Sequence, residues 1–491
     1  LKNGGFCKLM ESIMTSTPKN FSLLHWRNFG CQLIGLGFAA LLLSTVVMPE
    51  DMYLHTTFCI IGLFLVMLNL KPLRGSDLSR VLVDHRILFT ISFSLYFLLG
   101  ALVASTLSNE NFDTVFYRYR IGANDALYID AINAIGMGLA LFFSAIYRPK
   151  ILPKLAKSAT RKSVKFDNFF IIPIFLVVGG SSFIYVQLND WIFGEMISGS
   201  FRMLANLLLL CILMGMMYKG RHARLVWWLS AALAIVMSFF GLLGFQKFAM
   251  LLPIMVFFVG WGIRTNSLRH FIGGFILVAI LFNIVGGPIQ FARITFSDID
   301  NQSISERLSL FRAGLQAAEE LDVRSNYVAV ARFNYMHEQA GAIDFYDSGD
   351  GGSDWSKIPW VFIPRFVYPN KPSTTSSGIE LYYKMTGMEG TSYAAGIFGD
   401  GYYNAGWIGV IFWSIIGGLV IAQNSAIARV IITSKSLIFF PIVLLSLIIV
   451  FRIDGTLLAD YLGMFMYGMY FLIFINIVYV GINLILSKHR L

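Results

Sequence analysis

Apolar runs of membrane-crossing length return so often along this chain that its solvent must be partly lipid. They cover residues 29–48, 53–70, 87–107, 128–147, 169–187, 199–217, 225–242, 248–263, 271–292, 402–423, 437–451 and 461–486. About 20 such residues carry a helix across the hydrocarbon layer. In lipid every backbone donor and acceptor must be paired internally, so only helices and closed barrels cross it. The runs do not alternate with period two, which excludes a barrel. The chain reads as an all-α polytopic membrane protein of about twelve transmembrane helices. Composition agrees: 56% of its 491 residues are hydrophobic and 13% are charged, against about 25% charged in a soluble domain. Its formal net charge of +10 is too sparse, and too broken by apolar runs, to form a nucleic-acid-binding face.

The positions of the basic residues orient the spans, because cytoplasmic loops collect Lys and Arg. Segments 1–28, 71–86, 148–168, 218–224, 264–270, 424–436 and 487–491 together hold 24 Lys and Arg but only four acids, Glu11, Asp77, Asp84 and Asp167. The alternate segments and spans keep 14 basic and 24 acidic residues. The two sides therefore carry +20 and −10. Both termini are expected in the cytoplasm, with residues 1–27 as a cytoplasmic tail. The basic stretch from Arg148 to Lys165 reads as a loop that meets anionic headgroups.

Three regions follow: an N-terminal bundle of about nine helices over 1–292, a large extracytoplasmic loop over 293–401, and a C-terminal bundle of about three helices over 402–491. The loop is too long for a passive connector. Ser303 and Glu306 fit a capping box. Ile304, Leu308, Phe311, Leu315 and Ala318 then form one stripe of an amphipathic helix to about Leu321. A second helix is expected over Ser325–Gln339, ending at Gly341. After a turn-rich stretch from Asp347 to Ser356, aromatic and proline residues form an irregular ledge from Trp355 to Tyr383.

No Walker A, G-x-G-x-x-G, H-E-x-x-H or G-x-S-x-G sequence is present. The spacing of Asp347, Asp350 and Asp354 is not that of an EF-hand and reads as a solvated turn. Cys7, Cys31, Cys59 and Cys211 show no C-x-x-C spacing, which argues against a disulfide framework or a thiolate metal site.

More informative are the cations that stand against the charge gradient. They are Arg118, Arg120, Lys247, Arg293, Arg365, Lys371 and Arg452. Guanidinium groups hold phosphate oxygens in bidentate fashion, and lysine adds a point charge. Such groups at the outer leaflet suit a lipid-linked diphosphate, and each one alone also suits a side chain snorkelling to the interface. Pro364, Pro369 and Pro372 freeze the backbone around Arg365 and Lys371. Carboxylates supply the other half of a mechanism. Asp400, where the loop re-enters the membrane, is a candidate proton acceptor or a helix cap, and Glu380 is a second candidate acceptor. Trp360, Tyr368, Tyr382 and Tyr402, with Trp355, Tyr383, Tyr403 and Trp407, suit an interfacial belt or a saccharide-facing ledge. His337, a lone histidine on a helix, reads as a surface residue.

The element Pro364-Arg365…Tyr368-Pro369-Asn370-Lys371-Pro372 resembles the "PR…WPxKP" signature of Wzy-type oligosaccharide repeat-unit polymerases. These serve bacterial O-antigen, capsule and exopolysaccharide pathways. Gly399-Asp400-Gly401-Tyr402-Tyr403-Asn404-Ala405-Gly406-Trp407-Ile408-Gly409 is similar to that family's "GE-x-Y-x-N-F-G-x-x-G" re-entry. Leu243-Gly244-Phe245-Gln246-Lys247 resembles its "GSR/GSK" turn. The departures are Tyr368 for Trp, Asp400 for Glu, and Phe245-Gln246 for small residues.

The resemblance implies a glycosyltransferase at the outer face of the bacterial inner membrane, using neither metal nor nucleotide sugar and no other cofactor. It would transfer a growing glycan from undecaprenyl diphosphate to the non-reducing end of a lipid-linked repeat unit. Lys247, Arg365 and Lys371, with Arg293, Arg452, Arg118 and Arg120, would hold the diphosphate. Asp400 or Glu380 would take the acceptor proton, and Trp360, Tyr368, Tyr382 and Tyr402 would face the saccharide. A chain-length-regulating copolymerase is the implied protein partner. Two rival readings stand beside it. One is an O-antigen ligase with a lipid A-core acceptor, which depends on an outer-loop histidine. The other is a lipid-linked-saccharide flippase, which should carry charges inside its bundle.

Overall fold

A computed structural model of the chain describes residues 23–47, 52–70, 84–102, 121–161, 171–188, 204–295, 304–320, 334–363, 368, 370, 372, 376–387 and 393–434, with isolated positions 455, 462 and 477. Every regular element among them is helical. In chain order these are α1 (Leu23–Val46), α2 (Tyr53–Leu70), α3 (His85–Phe93, continued by a π-helical turn over Ser94–Leu99), α4 (Ala123–Arg161) and α5 (Ile171–Leu188). There follow α6 (Leu207–Met217), α7 (Ala223–Leu243), α8 (Lys247–Thr265), α9 (Leu268–Thr295) and α10 (Ile304–Glu320). The last are α11 (Met336–Asp347), a 3-10 turn at Asp354–Lys357, α12 (Ile358–Val361), α13 (Ser376–Thr386) and α14 (Gly396–Ser434). Among the described residues, eight segments, in α1–α4, α7–α9 and α14, are long and apolar enough to cross a membrane. Shorter apolar helices stand at Phe175–Val186 and Leu207–Met217. The expected spans 437–451 and 461–486 lie outside the described residues.

Contacts divide the chain into two compact units, and they cut across the three regions drawn from sequence. The first comprises residues 1–76, 80–164 and 332–491, the second residues 77–79 and 165–331. The expected loop 293–401 is thus shared, α10 going to the second unit and α11 to α13 going to the first.

In the first unit α4 is the central post, packed along α1 and along α14. Small residues make this possible. A β-carbon at Gly138 would lie 2.7 Å from the Gly30 carbonyl oxygen, and one at Gly418 would lie 2.4 Å from that of Ala140. Backbones that approach so closely replace apolar contacts with lipid by dense helix–helix packing. The helix of α4 runs on through the basic stretch expected as a loop, as far as Arg161.

At one end of the unit Asp84 caps α3, accepting from the Arg86 amide, and its Oδ1 also accepts from Arg86 Nε at 2.8 Å. The Arg86 guanidinium is buried and lies over the Trp26 ring at 4.9 Å. The His85 amide donates to Ser425 Oγ at 3.0 Å, tying α3 to α14.

In the second unit α6, nearly all buried, packs against α5, α7 and α8, while α9 packs on α8 and carries α10. The tight turn expected between α7 and α8 is present. Phe245 takes a positive φ of 50° and is buried, and the Gln246 amide closes the turn onto the Gly241 carbonyl at 3.0 Å. The amphipathic helix expected from Ile304 is α10, but its buried face is rotated from the expected stripe. Ile304 is exposed, while Arg307 and Gly314 are buried, with Leu310 and Phe311 packed on the core. Gly314 lets α10 sit directly on the backbone of Pro288. Arg307 is tolerated inside because Nη1 donates to the Leu243 carbonyl at the end of α7, 3.1 Å away. The Ser303 cap lies outside the described residues.

Candidate functional site

Buried polar side chains gather where α11 enters the bundle of the first unit. Its first seven residues, Met336 to Ala342, are all buried, and it packs on α14 and α4. Of the helix expected over Ser325–Gln339, residues 325–333 lie outside the described residues; α11 begins at Met336 and runs on to Asp347. Gly341 is no terminator: it sits mid-helix, where a β-carbon would meet Met385 Sδ of α13 at 2.9 Å. Asn334 Oδ1 accepts the Met336 amide at 3.0 Å and so holds the helix start. Gln339 and Asn133 of α4 exchange both amide hydrogen bonds, at 2.9 and 2.8 Å. Each primary amide thereby satisfies the other where no water reaches. His337 is buried too, which corrects its reading as a surface residue.

Beside α11, α14 is broken near its start. Ala405 and Gly406 leave helical geometry, with φ 58° and ψ −145° at Gly406, a region essentially open to glycine alone. Nor is there room for a side chain, since a β-carbon would lie 2.6 Å from the Tyr346 ring. The short arm Gly396–Asn404 then folds against the longer one, bringing the Gly401 and Gly409 backbones into contact.

Side chains of this broken segment reach out to carboxylates on other elements. Tyr402, itself buried, donates to Asp347 Oδ1 at 3.0 Å. Its oxygen lies 2.9 Å from the Tyr128 hydroxyl, and Trp407 Nε1 donates to Tyr128 at 2.8 Å. Indole is only a donor and an ionised carboxylate only an acceptor, so the chain has one direction: Trp407 to Tyr128 to Tyr402 to Asp347. Tyr346 closes on Tyr402 edge-to-face at 5.3 Å.

The neighbouring Tyr403 hydroxyl donates to Glu380 Oε1 of α13 at 3.4 Å. Lys384, one turn further along α13, pairs with Glu380 at 3.0 Å and with Asp350 at 2.9 Å, and its ammonium lies over the Tyr403 and Phe345 rings. Desolvation opposes the Lys384 charge. Hydrogen bonds to Asp350, Glu380 and Tyr403 outweigh it and hold the ammonium above the ordinary lysine range.

Of the residues nominated from sequence, the first unit brings Asp400, Glu380, Tyr382 and Tyr402 close to this place. Asp400 is the fifth residue of its helix and buried, so it caps no helix start. Asn404 Nδ2 donates to its carbonyl at 2.9 Å and lies 3.5 Å from its Oδ1. Tyr382 packs edge-to-face on Tyr393 at 4.7 Å. Trp360 stacks on the exposed Tyr368 at 5.2 Å, and Trp355 docks the ledge onto Phe412 and Trp413 of α14. Lys247 opens α8 and Arg293 lies in the last turns of α9, both in the second unit; their side chains fall outside the described positions. Arg118, Arg120, Arg365, Lys371 and Arg452 lie outside the described residues.

Sequence reasoning missed Lys384, although Glu380 and Lys384 stand at the i,i+4 spacing of a helical ion pair. It also missed the Asn133–Gln339 exchange and the buried pair of His55 with Asp130, for which linear sequence holds no signal. Among the described residues one buried cluster, His55, Cys59 and Asp130, has the donor types of a metal site. Its geometry is that of a direct pair. His55 Nδ1 lies 2.6 Å from Asp130 Oδ2, and Cys59 Sγ is almost equidistant from the two ring nitrogens, at 4.0 and 3.8 Å. A ligand sharing a metal with Nε2 would stand near that nitrogen's lone-pair axis, far from Nδ1. The cluster braces α2 against α4.

No protein-family model, no curated protein and no solved structure matches this chain.

Proposed function

We propose that this chain is a membrane glycosyltransferase that polymerises lipid-linked oligosaccharide repeat units. In this reading it crosses the bacterial inner membrane about twelve times with both termini in the cytoplasm, and the end of the first unit that holds α11 and the α14 break faces outward. A growing glycan on undecaprenyl diphosphate is the donor, and the non-reducing end of a newly delivered lipid-linked repeat is the acceptor. The observation that supports this most is the arrangement of two adjacent tyrosines. Within the segment that resembles the family's re-entry motif, Tyr402 and Tyr403 each bond a carboxylate from a different part of the loop.

Arg365 and Lys371, on the proline-braced ledge, neutralise the leaving diphosphate. A carboxylate of the α11–α14 cluster takes the acceptor proton, with Asp400 and Glu380 the nominees from sequence. Trp360 and Tyr368 offer an aromatic surface to the saccharide. His337 is buried, which weighs against a ligase working through a loop histidine.

A lipid-linked-saccharide flippase is the second reading, favoured by the hydrogen-bonded pair His55–Asp130 and the ion pair Asp84–Arg86 inside the first unit. The test is reconstitution of the purified chain in vesicles with a synthetic undecaprenyl-diphosphate-linked repeat and no transmembrane gradient. A ladder of longer glycans is expected, and Arg365→Ala should abolish it. Transfer of single repeats between leaflets with no ladder would overturn the proposal in favour of the flippase.

A further inference from the structure

Resting on the polymerase reading, we infer that Asp347 is the catalytic base, with Tyr402 and Tyr128 as its positioning residues. A base must come within about 3 Å of the hydroxyl it deprotonates. Asp400 is only 3% exposed and is engaged by its own helix. Glu380 offers Oε1 to both Lys384 and Tyr403. Asp347 stands at the exposed end of α11, and no described side chain bonds its Oδ2. Its Oδ1 is the terminus of the directed chain from Trp407 through Tyr128 and Tyr402. One oxygen is thus fixed, and the other, on an exposed residue, is bonded by no described side chain.

The helix that carries Asp347 is held just as firmly. Gln339 anchors it to α4, and Gly406 makes the room that Tyr346 fills beside it. Such a buried frame is what keeps a catalytic group from wandering.

The step balances as follows. The acceptor hydroxyl gives its proton to Asp347 Oδ2, and its oxygen forms the new bond to the donor's anomeric carbon. The bond from that carbon to the diphosphate oxygen breaks, and undecaprenyl diphosphate leaves with the electron pair. Asp347 then releases the proton to water.

The experiment measures chain growth on the synthetic lipid-linked repeat in vesicles. Asp347→Asn should lower kcat about 100-fold or more with KM for the acceptor unchanged, whereas Asp344→Asn, one turn back on the same helix, should not. Formate should restore part of the rate to Asp347→Gly, a rescue that a purely structural aspartate would not show. Tyr402→Phe should lower kcat about 10-fold without changing KM or thermal stability of the reconstituted protein. Wild-type rates from Asp347→Asn beside an active wild-type protein would overturn the role of Asp347 and leave the polymerase reading standing. A wild-type protein that builds no polymer would overturn both.

Discussion

Two of the helices in the hydrophilic segment, α10 and α11, meet opposite fates. In α10 the buried face is made mostly of apolar contact and one glycine, with a single guanidinium satisfied by the Leu243 carbonyl. In α11 the buried face is heavily polar: His337, Glu338 and Gln339 all lie inside, next to Asn334. One helix lies on its bundle through Gly314, the partly buried Leu310 and Phe311, and one bonded guanidinium. The other is built into its bundle by polar pairing with side chains far away in sequence. The Asn133–Gln339 exchange favours this seat, because moving Gln339 away strands both buried amides.

This contrast can be broken by substitution, and the largest effect is expected at the kink beside α11. Gly406→Ala places a β-carbon against Tyr346 in a backbone region reserved for glycine, which costs about 1–3 kcal/mol from the backbone alone with the steric clash added. A lower unfolding temperature is expected, together with loss of protection at the end of α11. A neutral result would mean that the α14 break does not seat α11.

Next comes the amide exchange. Gln339→Leu leaves the buried Asn133 amide without its partner and should cost about 1–3 kcal/mol. The double variant Asn133→Leu/Gln339→Leu should recover much of that loss, since it removes the need for pairing. If the double variant is as unstable as the sum of the singles, the polar seat is not what holds α11.

The smallest effect belongs to Lys384, whose partners are partly exposed. Lys384→Met should cost about 1 kcal/mol or less. Because the folded state holds this ammonium above the ordinary lysine pKa of about 10.4, its contribution is complete below about pH 10. It is lost as pH rises through the folded value. Alkaline unfolding of the wild-type protein and the variant should therefore converge. A difference that widens above pH 10 would contradict the pairing.

Much of the helical framework was legible because period and length are local signals. α2 begins and ends where the apolar run does, at Tyr53 and Leu70, and α10 starts at the expected Ile304. The rotation of α10 was not legible, since it depends on where Pro288 and the Leu243 carbonyl lie in space. The seat of α11 was hidden for a related reason. A buried Gln339 looks like a surface glutamine until Asn133, 206 positions earlier, is brought opposite. The candidate site was half legible: the aromatic and glycine pattern from Gly399 to Gly409 singled out the segment. It could not tell that Asp400 turns inward while Asp347, dismissed as part of a solvated turn, receives the Tyr402 hydroxyl.

The central claim is that a helix from the hydrophilic segment is a built-in member of the bundle, buried from Met336 to Ala342. Amide hydrogen exchange across residues 336–347, on the intact protein in lipid vesicles, tests it most directly. The account predicts that Met336 to Ala342 exchange as slowly as the buried stretch of α4 around Asn133, with exchange accelerating only towards Asp347. Uniformly fast exchange from Met336 onward, as for a helix lying on the surface, would contradict it.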